Sequence, residues 1–383
     1  MAPQGFDPDF PFAGLKVLEV AQGIAAEASA LDTIPMFRSI SGNIVFPGFT
    51  APKLMWLAAH DPDAYARVAT VMLPKDYLSY WLTGRRASEM SDAAGTTWLD
   101  TGARVWSDEL LAASGMRADQ MPDLMEGTGV VGEVRDHIAS ELGLPKGVQV
   151  VAGGGDNAAA ACGVGALTEG DGFVSLGTSG VILAARDGYY PNADSAVHTF
   201  CHAVPDTWYQ MSVMLAATDC LNWLAAITGA DAATLTGELG DTLTGPGSVR
   251  FLPYLSGERT PHNDSAVRGA FTGLAIGSQR ADLTRAVLEG VSFGLRDGLE
   301  ALREAGARPE RLLAIGGGTR SRYWLEMLAT ILGLPLDLPA KGELGAALGA
   351  ARLAICGVTG ADPASVMTRP ATAETIEPRA DLR

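Results

Sequence analysis

Cysteine, basic residues and long apolar runs are all scarce in this sequence. Its 383 residues include four cysteines, Cys162, Cys201, Cys220 and Cys356, which form no C-x-x-C pair and are too few for a disulfide framework. The 28 basic residues face 44 acidic ones, and the formal charge of −16 would repel nucleic acid or an anionic membrane surface. No apolar run is long enough to span a bilayer. These absences indicate a cytoplasmic protein that binds neither nucleic acid nor membrane.

Apolar residues and glycine are abundant instead, at 47% of the chain and 46 positions respectively. That composition indicates a globular α/β protein, and the length predicts two domains with a boundary between Gly165 and Ser212. Residues 54–142 indicate helices and loops. From Gly147 the pattern changes to a β-branched run, a glycine turn and an alanine-rich helix that begins near Asn157. The sequence therefore predicts a strand, a turn and a helix in that order.

The second half of the chain contains three further patterns. Residues Asp171 to Ala185 form two apolar runs joined by Gly177–Gly180, which predicts a hairpin with a small tip. A short strand is expected at Phe251. From Asp282, apolar residues recur at spacings of three and four, which predicts an amphipathic helix capped by Asp282. Residues Arg311 to Gly333 again predict a strand, a glycine turn and a helix.

Glycine-rich turns are expected at the ends of three strands, at Gly153–Gly155, Gly177–Gly180 and Gly316–Gly318. Bare backbone N–H groups and helix N-termini at such turns suit a phosphate group. Tight packing of a strand against a helix explains any one of them equally well. Three in one chain, one of them carrying Thr178 and Ser179, favour phosphate binding.

Two other motifs resemble ligand sites by letter alone. "GTGVVG", from Gly127 to Gly132, matches G-x-G-x-x-G, but Met121 to Glu126 before it indicates no strand, so a loop is favoured. "HTFCH" places His198, Cys201 and His202 at spacings that a metal could use, but a strand or loop with partly buried imidazoles is favoured. No G-x-x-x-x-G-K-[ST] motif occurs, which excludes a P-loop.

Asp156 follows the first glycine turn and precedes the alanine-rich helix. A partly desolvated carboxylate there could accept a proton from a substrate hydroxyl. Asp156 or Asn157 could equally satisfy the free N–H groups of the helix as a cap. The spacing alone does not choose between these two roles.

Several longer stretches resemble the FGGY carbohydrate kinases. Residues 268–290 fit the second signature of that family, and "GFTAPKLMWL", residues 48–57, fits the core of the first. The stretches "LPKDYL", "MSDAAGTTWLD", "GGGDNAA", "SLGTSGV" and "FLPYLSGERTPHN" are similar to the group within the family that phosphorylates D-xylulose. The resemblance runs from about Ala26 to beyond Leu353. Glycerol kinases have an aspartate-glutamine pair where this chain has Asp156-Asn157, which weighs against glycerol.

The resemblance implies an α/β fold with two ribonuclease-H-like domains of the actin and hexokinase type. Residues 26–165 would form an incomplete amino-terminal domain, and residues 166–383 would form the ATP-binding carboxyl-terminal domain. Sugar and ATP would bind in the cleft between them.

The resemblance also assigns roles to single residues. Asp156 matches the catalytic base, and Asp156 and Asn157 would contact the sugar. The residues that would contact the nucleotide are Gly177 and Thr178 in the second phosphate loop, Gly257 on the phosphate side, and Gly316, Gly317 and Gly318 at the adenosine. ATP and Mg²⁺ are the expected cofactors, with no metal ligand assigned in this chain. A homodimer is compatible with the sequence, which does not decide the oligomeric state.

The sequence departs from the family pattern at its start. The family opens with a loop of the form D-x-G-T-[ST], whose aspartate helps to hold magnesium, and no such pattern occurs in the 383 residues. A methionine-histidine pair that contacts the sugar is also absent. Residues 1–25 are instead expected to be an unrelated stretch, in which "FAGLKVLEV" resembles the opening strand of a family III CoA transferase. We therefore expect either an impaired D-xylulose kinase, an inactive nucleotide-binding remnant, or a kinase for another sugar.

Overall fold

The computed structural model describes residues 25–340 and 345–382. The stretch that the sequence predicts to be unrelated, residues 1–25, lies outside the described residues except for Ala25. The chain divides into two compact units. Unit 1 contains the described residues up to Ala158, together with Phe200–Pro205 and Ala350–Val366. Unit 2 contains Ala159–Thr199, Asp206–Gly349 and the described residues from Met367 onward.

Short helices and very short strands make up most of unit 1. The helices are α1 (Ala25–Asp32), α2 (Pro35–Ser41), α3 (Thr50–His60), α4 (Pro62–Ala66), α5 (Pro74–Thr83), α6 (Met90–Ala93), α7 (Asp108–Ala113) and α8 (Asp136–Glu141). The strands are β1 (Ala87–Glu89), β2 (Leu99–Asp100), β3 (Val105–Trp106), β4 (Asp123–Met125), β5 (Val130–Glu133) and β6 (Gln149–Val151). Helix α9 (Asp156–Val164) begins in unit 1, and the division falls after Ala158.

The prediction that no strand precedes Gly127 is wrong. Strand β4 lies there and pairs in parallel with β1, and β5 pairs antiparallel with β6. Three or four residues are too few to show the alternation by which a strand is recognised in a sequence. The predicted strand before Gly153 and the helix after it are confirmed as β6 and α9.

Unit 2 contains a long sheet covered by long helices. Its strands are β7 (Gly172–Leu176), β8 (Gly180–Arg186), β9 (His198–Cys201), β10 (Trp208–Met214), β11 (Arg250–Leu252), β12 (Ala270–Thr272), β13 (Leu312–Ile315), β14 (Leu336–Pro339) and β15 (Thr372–Ile376). The helices are α10 (Thr218–Thr228), α11 (Ala232–Gly237), α12 (Arg280–Glu304), α13 (Arg322–Leu332) and the start of α14 (Ala346–Thr359). Helix α15 (Pro363–Val366) belongs to unit 1. The division into units cuts β9 after Thr199 and α14 after Gly349.

The sheet has seven strands in the order β15-β14-β13-β7-β8-β10-β9. Strands β7 and β8 form the predicted antiparallel hairpin, and β13 lies parallel to β7 on its other side. Because β7 and β13 run in parallel, the glycine turns that follow them emerge at the same edge of the sheet. This topology brings Gly177 and Gly316 together.

Helices α10, α12 and α13 contribute apolar side chains to the same core as the sheet. Leu299 of α12 and Trp324 of α13 are fully buried there. The Trp324 indole Nε1 donates a hydrogen bond of 3.2 Å to the hydroxyl of Ser292, so its polar atom is satisfied inside the core. Burial of each large apolar side chain contributes about 1.5–3 kcal/mol to the free energy of folding.

The amphipathic helix predicted from Asp282 is α12, but it begins two residues earlier, at Arg280, and Gln279 is its N-cap. The assignment of Asp282 as the cap is therefore wrong. Its carboxylate accepts a hydrogen bond of 2.8 Å from the backbone N–H of Gln279. An acid at the third helical position bonds back to the N–H of the N-cap residue, so in the sequence it is easily mistaken for the cap itself.

The four cysteines are free and buried in the structure. Burial raises the pKa of the Cys201 and Cys220 thiols to about 12, so both remain protonated at neutral pH. Among the described residues, no helix is both long and apolar enough to cross a membrane.

Candidate active site

The acidic turn, which we define as Gly153 to Asp156, connects β6 to α9 in unit 1. At its start, the backbone N–H of Gly153 donates to the carbonyl of Gly127 at 2.9 Å. At its end, the N–H of Gly155 donates to the hydroxyl of Ser91 at 2.9 Å. Both ends of the turn are therefore fixed to other segments of the chain.

Asp156 is the first residue of α9 and is exposed. The prediction that it is partly desolvated is thus wrong for the structure described. Its Oδ1 accepts hydrogen bonds from the backbone N–H of Asn157 at 2.6 Å and from that residue's side-chain amide at 2.9 Å. No residue of the described ranges bonds to Oδ2. One carboxylate oxygen therefore satisfies the helix start, while the other is open to a ligand.

A partly buried ionic cluster lies beside the acidic turn. The ammonium of Lys75 lies 2.7 Å from a carboxylate oxygen of Asp76, 3.4 Å from one of Glu89 and 3.8 Å from one of Asp92. Glu89 is fully buried, and its carboxylate accepts the backbone N–H groups of Ser91 and Asp92 at 2.7 and 2.8 Å. Sequence reasoning did not assign these residues, although "LPKDYL" contains Lys75 and Asp76 and "MSDAAGTTWLD" contains Ser91 and Asp92.

The charges of the cluster shift the pKa values of its members. Burial raises the pKa of Asp92 to about 7, and Lys75 opposes this shift while Glu89, Asp76 and Asp156 add to it. Burial disfavours the charged form of Lys75, but the carboxylates of Glu89, Asp76 and Asp92 outweigh it and raise the pKa of this ammonium. Lys75 therefore remains charged, while Asp92 changes its charge near neutral pH.

In unit 2, the turn between β7 and β8 holds the start of α10. The carbonyl of Gly177 accepts the backbone N–H of Thr218 at 2.9 Å and its hydroxyl at 2.8 Å. The carbonyl of Thr178 accepts the N–H of Ala217 at 2.8 Å, and the Thr178 side chain is exposed. The loop is therefore rigid where it meets the helix and open at its tip.

The turn after β13 packs directly on the turn after β7. Gly316 has a φ of 93°, and a Cβ there would lie 2.7 Å from the backbone of Leu176. A Cβ at Gly318 would lie 2.8 Å from the side chain of Leu176. A Cβ at Gly317 would instead meet nothing within 4 Å. Gly316 and Gly318 thus serve close packing, whereas Gly317 lies against open space.

That open space is a cavity of about 710 Å³ in unit 2. This volume is within the usual range for a site that binds a small molecule or cofactor. Its lining comes from the turn after β13, from helices α10, α11 and α13 and from the loop after α11, and includes Gly317, Gly318, Thr218, Asn222, Asp241 and Tyr323. The sequence predicted the two glycines but none of the other four. Thr218, Asn222 and Asp241 lie more than 70 residues from the glycine turn in the chain, so local patterns carry no signal that they share a cavity with it.

Gly257 is buried within the loop between β11 and β12 and does not line that cavity. It has a φ of 79°, and a Cβ there would lie 2.9 Å from the backbone of Ser265. The structure therefore accounts for this glycine by packing within its own loop, and its contact with phosphate stays a prediction.

The two weaker motifs are structural elements. "HTFCH" contains strand β9, and His198 and His202 are fully buried, where the sequence predicted partly buried imidazoles. No group of three metal-binding side chains occurs within residues 25–340 and 345–382. Burial, with Arg259 nearby, lowers the pKa of His198 well below its usual value. A Cβ at Gly127 would lie 2.4 Å from the carbonyls of Ala203 and Gly153, so this glycine allows close packing.

Comparison with known proteins identifies similarity along most of the chain. The model of the N-terminal domain of the FGGY family of carbohydrate kinases matches residues 19–163, and that of the C-terminal domain matches residues 172–358. A xylulose kinase from Klebsiella pneumoniae is 49% identical over 326 residues, which cover 84% of this chain and 67% of that protein. A xylulose kinase from Escherichia coli (strain K12) is 48% identical, covering 86% and 68%. A solved xyloylose kinase from Brucella ovis superposes with a TM-score of 0.92 at 56% identity, covering 94% of this chain and 74% of that one.

The titration of Asp92 predicts a pH-dependent effect of Asp92→Asn on stability. Between about pH 4, the ordinary pKa of aspartate, and pH 7, the folded state holds a proton on Asp92 that the unfolded state has lost. The free energy of unfolding of the wild type should therefore fall relative to that of the variant across this range, and the difference should level off above pH 7. Urea unfolding at several pH values measures it.

Asp136→Asn is the matched control, because Asp136 is 73% exposed and also lies in the first turn of a helix. A difference between wild type and Asp92→Asn that is the same at pH 4, 5.5 and 8 would contradict the raised pKa.

The open space beside Gly317 predicts a variant that folds but does not bind nucleotide. Gly317→Leu places a side chain at the cavity, and its Cβ meets no protein atom within 4 Å, so the unliganded melting temperature should change little. Millimolar ADP should raise the melting temperature of the wild type by mass action and should leave that of Gly317→Leu unchanged.

Gly277→Leu is the control, since a Cβ at Gly277 also meets nothing within 4 Å but this residue does not line the cavity. It should retain the ADP response. A melting curve of Gly317→Leu that still responds to ADP would exclude the cavity as the nucleotide site.

Proposed function

This chain belongs to the FGGY family of carbohydrate kinases, and we infer that it transfers the γ-phosphoryl group of ATP to D-xylulose, giving D-xylulose 5-phosphate and ADP. The observation that carries this conclusion is the 49% and 48% identity to two xylulose kinases over 84% and 86% of the chain. The family fold has two domains of the actin and hexokinase type, and the α/β fold predicted from the sequence is confirmed.

We propose Asp156 as the catalytic base. Its open Oδ2 would take the proton from the terminal hydroxyl of the sugar as that oxygen forms a bond to the γ-phosphorus. The bond between the γ-phosphorus and the bridging oxygen then breaks, and ADP leaves. Asn157, half-buried beside it, would contact the sugar through its amide. The hydrogen bonds from Asn157 to Oδ1 keep the carboxylate oriented for this transfer.

We propose the cavity beside Gly317 as the adenosine site and the adjacent turn at Gly177 and Thr178 as a phosphate loop. Support comes from the contact between the turn at Gly316 and the turn after β7, which puts both glycine turns at one edge of the sheet. The exposed Thr178 hydroxyl can donate a hydrogen bond to an anionic group. Gly257 remains a proposed contact on the phosphate side.

We propose Mg²⁺ as the divalent ion that accompanies ATP. In the part of the chain that the structure describes, no three histidine, cysteine or acidic side chains form a metal site. These residues therefore do not fit an ion held by the protein alone, and we assign no metal ligand. Mg²⁺ is commonly bound through substrate phosphates and water, so it would arrive with the nucleotide.

We also propose a cytoplasmic location, supported by four free thiols that need no oxidising compartment. The proposed domains are residues 26–165 and 166–383. A homodimer is the assembly to test, by analytical ultracentrifugation.

We predict slow turnover for the 383-residue chain, because the resemblance assigns a magnesium-binding aspartate and a phosphate loop to a D-x-G-T pattern that the sequence lacks. ADP release with D-xylulose should be compared between this chain and a chimaera in which the opening strands of a related kinase replace residues 1–25. The chimaera should be at least about tenfold faster.

Glycerol in place of D-xylulose is the substrate control for both forms. If the 383-residue chain turns over D-xylulose as fast as the chimaera does, the D-x-G-T pattern is dispensable. If neither form releases ADP with D-xylulose, the proposed substrate is wrong.

The role of Asp156 predicts a large effect of Asp156→Asn on turnover. In the faster of those two forms, kcat should fall by about two or more orders of magnitude while the affinity for sugar changes little, since only proton transfer is removed. Asp136→Asn, an exposed acid in the first turn of another helix, should have no effect. A kcat of Asp156→Asn within a few-fold of the wild type would reduce Asp156 to a helix cap.

A further inference from the structure

The acidic turn is tied to the ionic cluster by one serine hydroxyl. Ser91 lies in α6 and is 2% exposed. Its Oγ lies 2.9 and 2.8 Å from the two carboxylate oxygens of Glu89 and 2.9 Å from the backbone nitrogen of Gly155. Gly155 immediately precedes the proposed base, Asp156.

The direction of these hydrogen bonds follows from the groups involved. An ionised carboxylate only accepts hydrogen bonds, so the single hydroxyl proton of Ser91 must point to Glu89. The lone pairs of Oγ are then left to accept the N–H of Gly155. The bond between Ser91 and Gly155 joins two segments that are 64 residues apart in sequence.

The position of Glu89 is itself fixed from several sides. It accepts two backbone N–H groups of α6, and Lys75 lies 3.4 Å from it. A buried carboxylate with this many partners is held in one orientation, because moving it would leave charges unpaired. Ser91 therefore joins a rigid anchor to the end of the acidic turn.

We propose that Ser91 is a positioning residue for the carboxylate of Asp156, acting through the N–H of Gly155. The proposal rests on the proposed function, in which Asp156 is the base. Gly153 is held at the other end of the turn by the carbonyl of Gly127. The hydrogen bond to Ser91 therefore sets the position of the end of the turn, from which the carboxylate of Asp156 projects. A displacement of about 1 Å at a reacting group can cost up to a hundredfold in rate.

Ser91→Ala tests this role, because it removes the acceptor of the Gly155 N–H and changes little else in volume. We expect kcat to fall about tenfold or more, with the KM values for D-xylulose and ATP within about twofold of the wild type. We also expect the amide of Gly155 to exchange with solvent at least about tenfold faster. Ser41→Ala is the matched control, since Ser41 is equally buried, lies in unit 1 and bonds only within its own segment.

A double-mutant cycle separates positioning from a general loss of structure. If Ser91 acts through Asp156, then Ser91→Ala should lower the residual kcat of Asp156→Asn by no more than about twofold. Multiplicative effects of the two substitutions, or a kcat of Ser91→Ala within twofold of the wild type, would overturn the positioning role. An equal loss of kcat in Ser41→Ala would also overturn it.

The cycle also distinguishes this proposal from the function on which it rests. A large loss in Asp156→Asn with normal turnover in Ser91→Ala overturns only the positioning role. Normal turnover in Asp156→Asn overturns the catalytic base and the positioning role together.

Discussion

The buried carboxylate of Glu89 is the constraint on which the acidic turn depends. A charge that is buried away from water must be paired and hydrogen-bonded. Glu89 meets this requirement through Lys75, two N–H groups of α6 and the hydroxyl of Ser91. Lys75 is also paired with Asp76, and the hydroxyl of Ser91 also accepts the N–H of Gly155. The result is a polar network that specifies one arrangement of strand β1, helix α6 and the turn before α9. Its effect is one of geometry more than of net stability, since the desolvation of the two ions offsets much of their attraction.

In unit 2 the corresponding constraint is steric. Strands β7 and β13 are neighbours, and the turns that follow them approach so closely that a Cβ at Gly316 or Gly318 would collide with Leu176. This contact leaves the backbone of both turns at one edge of the sheet, beside the start of α10. The two units thus build their proposed sites differently, one from buried charge and the other from the absence of side chains.

The sequence predicted the elements whose patterns are local. The hairpin of β7 and β8, helix α9 and the glycine turn after β13 all followed from alternation, alanine content and glycine clusters. The start of α12 was misplaced because an acid at the third helical position resembles a cap. Ser91 and Gly155 are 64 residues apart, so no local pattern predicts the hydrogen bond between them. The same holds for Asn222 and Asp241, which line the cavity together with the distant Gly317. The family resemblance supplied Asp156 as a base where its spacing left two roles open.

The three glycines of the turn after β13 differ in what a mutation there would reveal. Replacement of Gly316 or Gly318 forces backbone or core atoms to move, so loss of function would coincide with loss of folded protein in the cell. At Gly317 an added Cβ meets no protein atom within 4 Å, so abundance should stay near normal whatever happened to binding. In a survey of all substitutions, abundance and growth on a pentose would therefore diverge at Gly317 and agree at its neighbours. Such a divergence distinguishes a glycine that leaves room for a ligand from a glycine that is required for packing.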